Sequence, residues 1–262
     1  MGSPPRTWRW VCGLGYDPPK VIFRYPASSN TEISPAGPLN VCDSLLHSHG
    51  TSMKRPQQMH EYRVLEADFV WGGIDLAAMP VDELPEIAFL GRSNVGKSSL
   101  LNRLLQRRSL AVVSSMPGRT QQFNRYKATI QLPTTPARKA DIAVTDVPGF
   151  GFAKFSQERR DELRKLIVEY VTSREQLKIV CLLTEARRLP EEDEMIVREI
   201  VFEAGKELLV VITKLDKLRK NEIPGNIRKI AEEYGLSENE LEVSGEAYNI
   251  QPLWHRLMSF EG

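Results

Sequence analysis

Cysteine is scarce in this 262-residue sequence: Cys12, Cys42 and Cys181 are widely spaced and odd in number. That excludes a disulfide framework and fits a reducing compartment. Cys181 lies in the apolar run Ile179-Val180-Cys181-Leu182-Leu183 and reads as a small buried hydrophobe. Long hydrophobic stretches are missing too. No run approaches the ~20 apolar residues that a membrane-spanning helix needs, so no membrane association is expected. Neither charge sign is in excess. With a formal net charge of +1, no whole-chain field draws the protein to nucleic acid, and contact with RNA would have to come from local patches. What is present is an ordinary globular balance, 41% apolar and 26% charged residues, suited to one substantial domain with an appendage.

Residues 1–60 are that appendage. They are rich in Pro, Gly and Ser (Pro4-Pro5, Pro18-Pro19, Ser28-Ser29, Pro35, Gly37-Pro38) and show no sustained helical or strand period. Such a segment buries too little apolar surface to offset the entropy of ordering it, so it is expected to be disordered. Three origins compete. A transit peptide would place the protein in the mitochondrial matrix or plastid stroma, but Asp17, Glu32, Asp43 and only scattered arginines fit that poorly. A start site set too far upstream would make Met53 or Met59 the beginning of a plain cytoplasmic chain. The third is a functional tail, in which Cys42, His47 and His49 fall short of the four closed ligands of a structural zinc site.

From Tyr62 the pattern sharpens, and residues 61–262 are expected to form the domain. Leu84–Leu90 ends in an apolar run that reads as a buried strand entering a Gly-rich loop. A helix from Ser98 to about Leu105 follows, with Leu100, Leu101, Leu104 and Leu105 on one face. Strands are expected near Phe123–Leu132, at Asp141–Thr145, Lys178–Thr184 and Glu207–Thr213, and at Leu241–Val243. Helices are expected near Gln157–Val171, Glu191–Ala204 and Ile227–Tyr234, with a closing one after Gln251. Alternating strands and helices predict an α/β fold of three layers, a mostly parallel sheet flanked by helices.

Three motifs carry chemistry. Gly91-Arg92-Ser93-Asn94-Val95-Gly96-Lys97-Ser98 is a full phosphate-loop pattern between a strand and a helix. Its glycines allow a tight turn whose N–H groups surround phosphate, and the helix N-terminus points at the same charge. Lys97 is placed to reach the outer phosphates and Ser98 to bind Mg²⁺. Asp146-Val147-Pro148-Gly149 follows a strand, where Asp can hold the magnesium through water and Gly149 can offer its N–H to the terminal phosphate. Thr213-Lys214-Leu215-Asp216 ends another apolar strand. There a carboxylate can accept two hydrogen bonds from guanine, whereas adenine would leave it desolvated and unpaired, a loss of about 10³-fold or more in affinity. In this order the motifs predict a P-loop domain that binds GTP and GDP with Mg²⁺.

The run Leu84–Leu101, then Pro117-Gly118-Arg119-Thr120-Gln121, then Asp146-Val147-Pro148-Gly149-Phe150-Gly151-Phe152-Ala153-Lys154 resembles the EngB family of bacterial GTPases. The resemblance runs from about residue 64 to the end. It implies a cytoplasmic, monomeric small GTPase that partners the large ribosomal subunit or its precursor during assembly, and that is needed for normal cell division and septation. It also implies that Ser98 and Thr120 are magnesium ligands and that Gly118, Arg119, Thr120, Gln121 and Gln122 form the first switch. Asp146–Gly149 would lead the second switch, Thr213–Asp216 would select guanine, and Val243, Ser244 and Gly245 would touch the base through backbone groups. Thr213 in place of Asn is normal for that family. Three departures stand out: Glu185-Ala186-Arg187 where Asp-Ala-Arg is usual, Gly245 where a small side chain is usual followed by a segment one residue short, and an unusual loop over 133–139.

Ras-type enzymes place a water-orienting Gln directly after Asp-x-x-Gly; here Phe150 stands there. Slow hydrolysis that depends on a partner is therefore expected, with Lys97 and Asn94 as candidates for stabilising charge. A guanine-nucleotide module that does not hydrolyse, and a P-loop ATPase, are the alternatives. Asn94 fits two roles equally, helping to bind K⁺ beside the phosphates or bracing the loop through its own backbone bonds. The aromatics Phe150, Phe152 and Phe155 either pack on the following helix or form a partner-binding patch. Basic clusters at Arg107-Arg108, Arg159-Arg160 with Arg164-Lys165, and Lys217 with Arg219-Lys220 could meet rRNA phosphates, or could be solvated faces set among acids.

Overall fold

The structure, a computed structural model, describes residues 61–107, 122–151, 156–245 and 247–261. The expectations for residues 1–60, Gly118–Gln121, Phe152 and Phe155 lie outside the described residues.

Period-two alternation in the central strands sets the layers. In β2 (Glu86–Gly91) every residue is buried, so the strand needs a cover on both faces. Ile87 and Phe89 point to one core and Ala88 and Leu90 to the other. The strand β5 (Leu177–Glu185) repeats this division, with Ile179, Cys181 and Leu183 against Val180 and Leu182. The first core is closed by α1 (Lys97–Leu104) and α5 (Gln251–Leu257), whose Leu100, Leu101, Leu104, Leu253, Trp254 and Leu257 are all buried. The second is closed by α2 (Gln157–Ser173), α3 (Glu192–Glu203) and α4 (Ile223–Tyr234). The remaining strands are β1 (Arg63–Gly73), β3 (Phe123–Gln131), β4 (Lys139–Asp146), β6 (Glu207–Thr213) and β7 (Glu242–Val243). They give a seven-stranded sheet in the order β1-β3-β4-β2-β5-β6-β7.

The pairs β4–β2, β2–β5, β5–β6 and β6–β7 are parallel, and β1–β3 and β3–β4 are antiparallel. The three-layer, mostly parallel architecture read from the sequence is the one observed. The strand β1 was not foreseen. Of its residues only Val64 and Ala67 are buried, and register shifts at Val64/Glu66 and Phe69/Trp71 break its alternation. The helix α4 begins at Ile223, a turn ahead of the expected Ile227, with Pro224 in its first turn, where a missing N–H costs nothing. The unusual 133–139 loop joins β3 to β4 as a hairpin, closed by Leu132 N donating to Arg138 O at 2.9 Å.

At the end of β2 away from the phosphate loop, a buried ionic cluster ties together β2, β3, β4, α2 and the loop that carries Asp82. Glu86 accepts from Thr145 Oγ1 at 2.7 Å, Tyr170 OH at 2.5 Å and Arg174 Nη2 at 2.7 Å. Arg125 lies 3.5 Å from Glu86 and gives both terminal nitrogens to Asp82 at 2.7 Å each. Burial pushes the Glu86 carboxyl up, but the bonds from Tyr170 and Arg174 outweigh it and hold the group below its ordinary value of 4.5. Folded Glu86 thus holds its proton more weakly than the unfolded chain does. Its stabilisation is complete above the ordinary glutamate range and is lost as pH falls through the lower folded value. Removing one partner of such a cluster leaves buried charge uncompensated. Glu86→Gln is expected to destabilise the domain by about 3 kcal/mol at neutral pH in urea unfolding, and to lose less stability than the parent as pH falls from 5 to 3. An unchanged urea midpoint would refute this.

Candidate functional site

The three sequence motifs meet at one edge because the parallel strands end in step. Phe89 pairs with Asp146, Gly91 with Leu183, and Glu185 with Thr213, so the loops after β2, β4, β5 and β6 leave the same side of the sheet. Ligands of open α/β sheets bind in such a crevice.

The phosphate loop turns back through Val95 N donating to Arg92 O at 3.1 Å, with Asn94 in a left-handed conformation at φ 62°. The helix α1 then starts at Lys97, and Leu100 N reaches Gly96 O at 2.9 Å. Lys97 is buried and its ammonium is paired with the equally buried carboxylate of Asp146. Ser98 sits beside it in the first turn of α1. The second motif is stitched to the phosphate loop by backbone bonds. Ser93 N donates to Phe150 O at 3.0 Å, and Phe150 N to Gly91 O at 3.4 Å. Gly149 passes so close that a Cβ there would lie 3.3 Å from both Cα and N of Ser93, which excludes a side chain unless the loop yields. Val147 N bonds Phe89 O at 3.1 Å, and Pro148 follows it.

The guanine motif is anchored from within the sheet. Thr213 Oγ1 lies 2.7 Å from Val95 O and 3.3 Å from Thr184 O, which joins this motif to the phosphate loop. Lys214 adopts φ 57° and gives Nζ to Glu185 Oε2 at 3.0 Å. Partial burial raises the Glu185 carboxyl, yet hydrogen bonds from Lys214 and Arg187 outweigh burial and hold it below the ordinary range. Leu215 is buried and fixes the turn, while Asp216 is exposed to solvent with Lys217 Nζ at 3.1 Å. A hydrogen bond from Lys217 keeps the Asp216 carboxyl below its usual value, so it is an anion ready to accept. Val243 pairs with Ile212, and Ser244 N donates to Ile212 O at 2.8 Å, which brings Ser244 and Gly245 alongside Thr213–Asp216.

Of the first switch only Gln122 is described; its Nε2 donates to Asn124 Oδ1 at 3.0 Å. Phe150 is buried in the second core with Ile167 and Tyr170, so for this aromatic the packing role holds and the surface patch does not. The basic cluster of α2 is largely met by acids and amides: Arg159 by Glu162, Arg160 by Gln157, Arg164 by Asp193.

Two contacts had no sequence reading. Arg92 reaches from the phosphate loop to Glu191 at 2.5 Å and to the fully buried Glu194 at 3.9 Å, beside Arg188. Burial raises the Glu194 carboxyl despite these cations. Arg103 of α1 donates to the carbonyls of Gly245 and Tyr248. The one available signal was a charged residue set inside the apolar run of α1.

The sequence model of a family described as "50S ribosome-binding GTPase" matches residues 86–214. A probable GTP-binding protein EngB from Clostridium beijerinckii is 38% identical over 178 residues, which cover 68% of this chain and 85% of that protein. The Leuconostoc citreum protein of the same description is 42% identical over 169 residues, 63% of this chain and 82% of that one. Among solved structures, a probable GTP-binding protein EngB aligns with TM-score 0.50 at 22% identity, covering 66% of this chain and 97% of that one. Era in complex with MgGDPNP and a segment of 16S ribosomal RNA aligns with TM-score 0.52 at 22% identity, covering 68% and 56%. The solved structures bear on the fold alone. With its motifs assembled at one sheet edge and relatives at this identity over most of their length, the chain belongs to the EngB family of GTP-binding proteins.

Proposed function

We propose that this GTPase is a slow nucleotide switch acting in the assembly of the large ribosomal subunit, with an accompanying role in cell division and septation, as a monomer in the cytoplasm. The observation that carries the switch reading is the pair of backbone bonds between Ser93, Phe150 and Gly91. A change in the phosphates cradled by residues 91–98 is passed to the second switch through those bonds, and a partner can read the result. The ribosomal client is supported by the family description and by the resemblance noted in the sequence.

Burial of Phe150 supports slow hydrolysis, because no polar atom stands where a water-orienting side chain would be. The same residue supports the rival reading, a binder that does not hydrolyse; a measurable single-turnover rate in excess enzyme decides against the rival. The hydroxyl of Ser98 is a hard oxygen donor suited to Mg²⁺, with Thr120 as the further ligand and Asp146 placed to hold the ion through water. When bound, that ion neutralises charge on the phosphates. Lys97, now held by Asp146, is freed to meet the outer phosphates. Asp216 and Lys214 hold the base, and Val243, Ser244 and Gly245 close over its other edge.

Asn94 is exposed at the turn of the loop, which leaves its amide oxygen open to a cation. Hydrolysis is expected to be faster in K⁺ than in Na⁺, and Asn94→Ala is expected to abolish the difference; equal rates in the two salts for the parent protein would refute the cation role. Co-sedimentation with large ribosomal subunits tests the client. Binding is expected with a non-hydrolysable GTP analogue, to be weak with GDP, and to be lost in Asp216→Asn. Equal binding in both nucleotide states would overturn the switch.

A further inference from the structure

We propose that Arg103 is a positioning residue for guanine recognition, bracing the final base-contact turn from the same helix that opens the phosphate loop. This rests on the reading that Val243–Gly245 faces the base. The turn after Ser244 is tight: Tyr248 N donates to Gly245 O at 3.0 Å. The residue before it is tied inward, through Ser244 N and Ile212 O at 2.8 Å, to the strand that carries Thr213. Its two ends, the carbonyls of Gly245 and Tyr248, are both taken by the guanidinium of Arg103, Nη1 on one and Nη2 on the other. A planar fork can hold two carbonyls at fixed separation; an ammonium cannot.

The brace also accounts for the departure seen in the sequence at Gly245 and the short segment after it. A Cβ on Gly245 would lie 3.2 Å from Cδ2 of Tyr248, and Tyr248 packs on the second core. The ring therefore occupies the space that a small side chain would fill, and the shortened turn is held by Arg103 instead. Arg103 lies six residues beyond Lys97 on α1, about 9 Å along the helix. One rigid element thereby sets the distance between the phosphate cradle and the base turn. Asp216 is an acceptor and can serve only the N–H donors of guanine, so a backbone donor of Val243–Gly245 must serve the 6-oxygen. Loss of the brace is a loss on that edge alone.

The test compares GDP with 6-thioguanosine diphosphate, in which a weaker acceptor replaces the 6-oxygen, by competition against a fluorescent GDP. Arg103→Ala is expected to weaken GDP about tenfold, the worth of one hydrogen bond, through faster dissociation, and to change the affinity of the thio analogue less than about twofold. Arg103→Lys should fall between parent and alanine variant. Gly245→Ala, which displaces the Tyr248 ring, should reproduce the selective loss and serves if Arg103→Ala does not fold. Unchanged GDP affinity in Arg103→Ala, or an equal loss for both nucleotides, would overturn the proposal. A parent protein with no preference for GDP over ADP would instead remove the guanine-site reading beneath it, and Arg103 with it.

Discussion

The nucleotide edge depends on one buried ion pair, Lys97 with Asp146, set where two parallel strands finish opposite each other. Both groups are almost wholly removed from water, and neither could stay charged there alone without a cost of several kcal/mol. The pair exists because Phe89 stands opposite Asp146. A slip of one residue would turn Asp146 to the other face and carry the second motif away from the phosphate loop. From that register follow the close pass of Gly149 over Ser93, the backbone exchange with Phe150, and the placement of Arg92 against α3. A bound phosphate would be a second anion for the lysine and Mg²⁺ a second cation for the aspartate.

A second charged cluster keeps the start of β2 in place. Glu86 starts the strand that ends at Gly91, and its bonds to Thr145, Tyr170 and Arg174 fix β4 and α2 relative to β2. The guanine half of the site is braced in a similar way by side-chain hydrogen bonds. Thr213 ties its strand to the phosphate loop, and Glu185 holds Lys214.

Much of this was legible in the sequence, for a physical reason. Strands buried on both faces are near-continuous apolar runs, and those preceding Gly91, Asp146 and Asp216 were visible because motif residues end them abruptly. The edge strand β1 was not, since a half-exposed strand with register shifts at Leu65 and Val70 has no clean alternation. Motif spacing identified the ligand-facing residues but not their supports. That Lys97 meets Asp146, that Phe150 packs inward, and that Arg103 reaches Gly245 and Tyr248 are long-range contacts fixed by how layers stack. Glu185 looked like a departure from a family pattern; in the fold its longer side chain spans to Lys214 and Arg187.

The most direct measurement is GDP affinity by calorimetry for the parent and Asp146→Asn, each in EDTA and in excess Mg²⁺. If Asp146 holds Lys97 back until Mg²⁺ arrives, the variant binds GDP in EDTA about tenfold more tightly than the parent, and Mg²⁺ adds little further. A variant that loses GDP affinity in EDTA as much as in Mg²⁺ would show that the pair builds the loop rather than competing with its ligand, and would contradict the account.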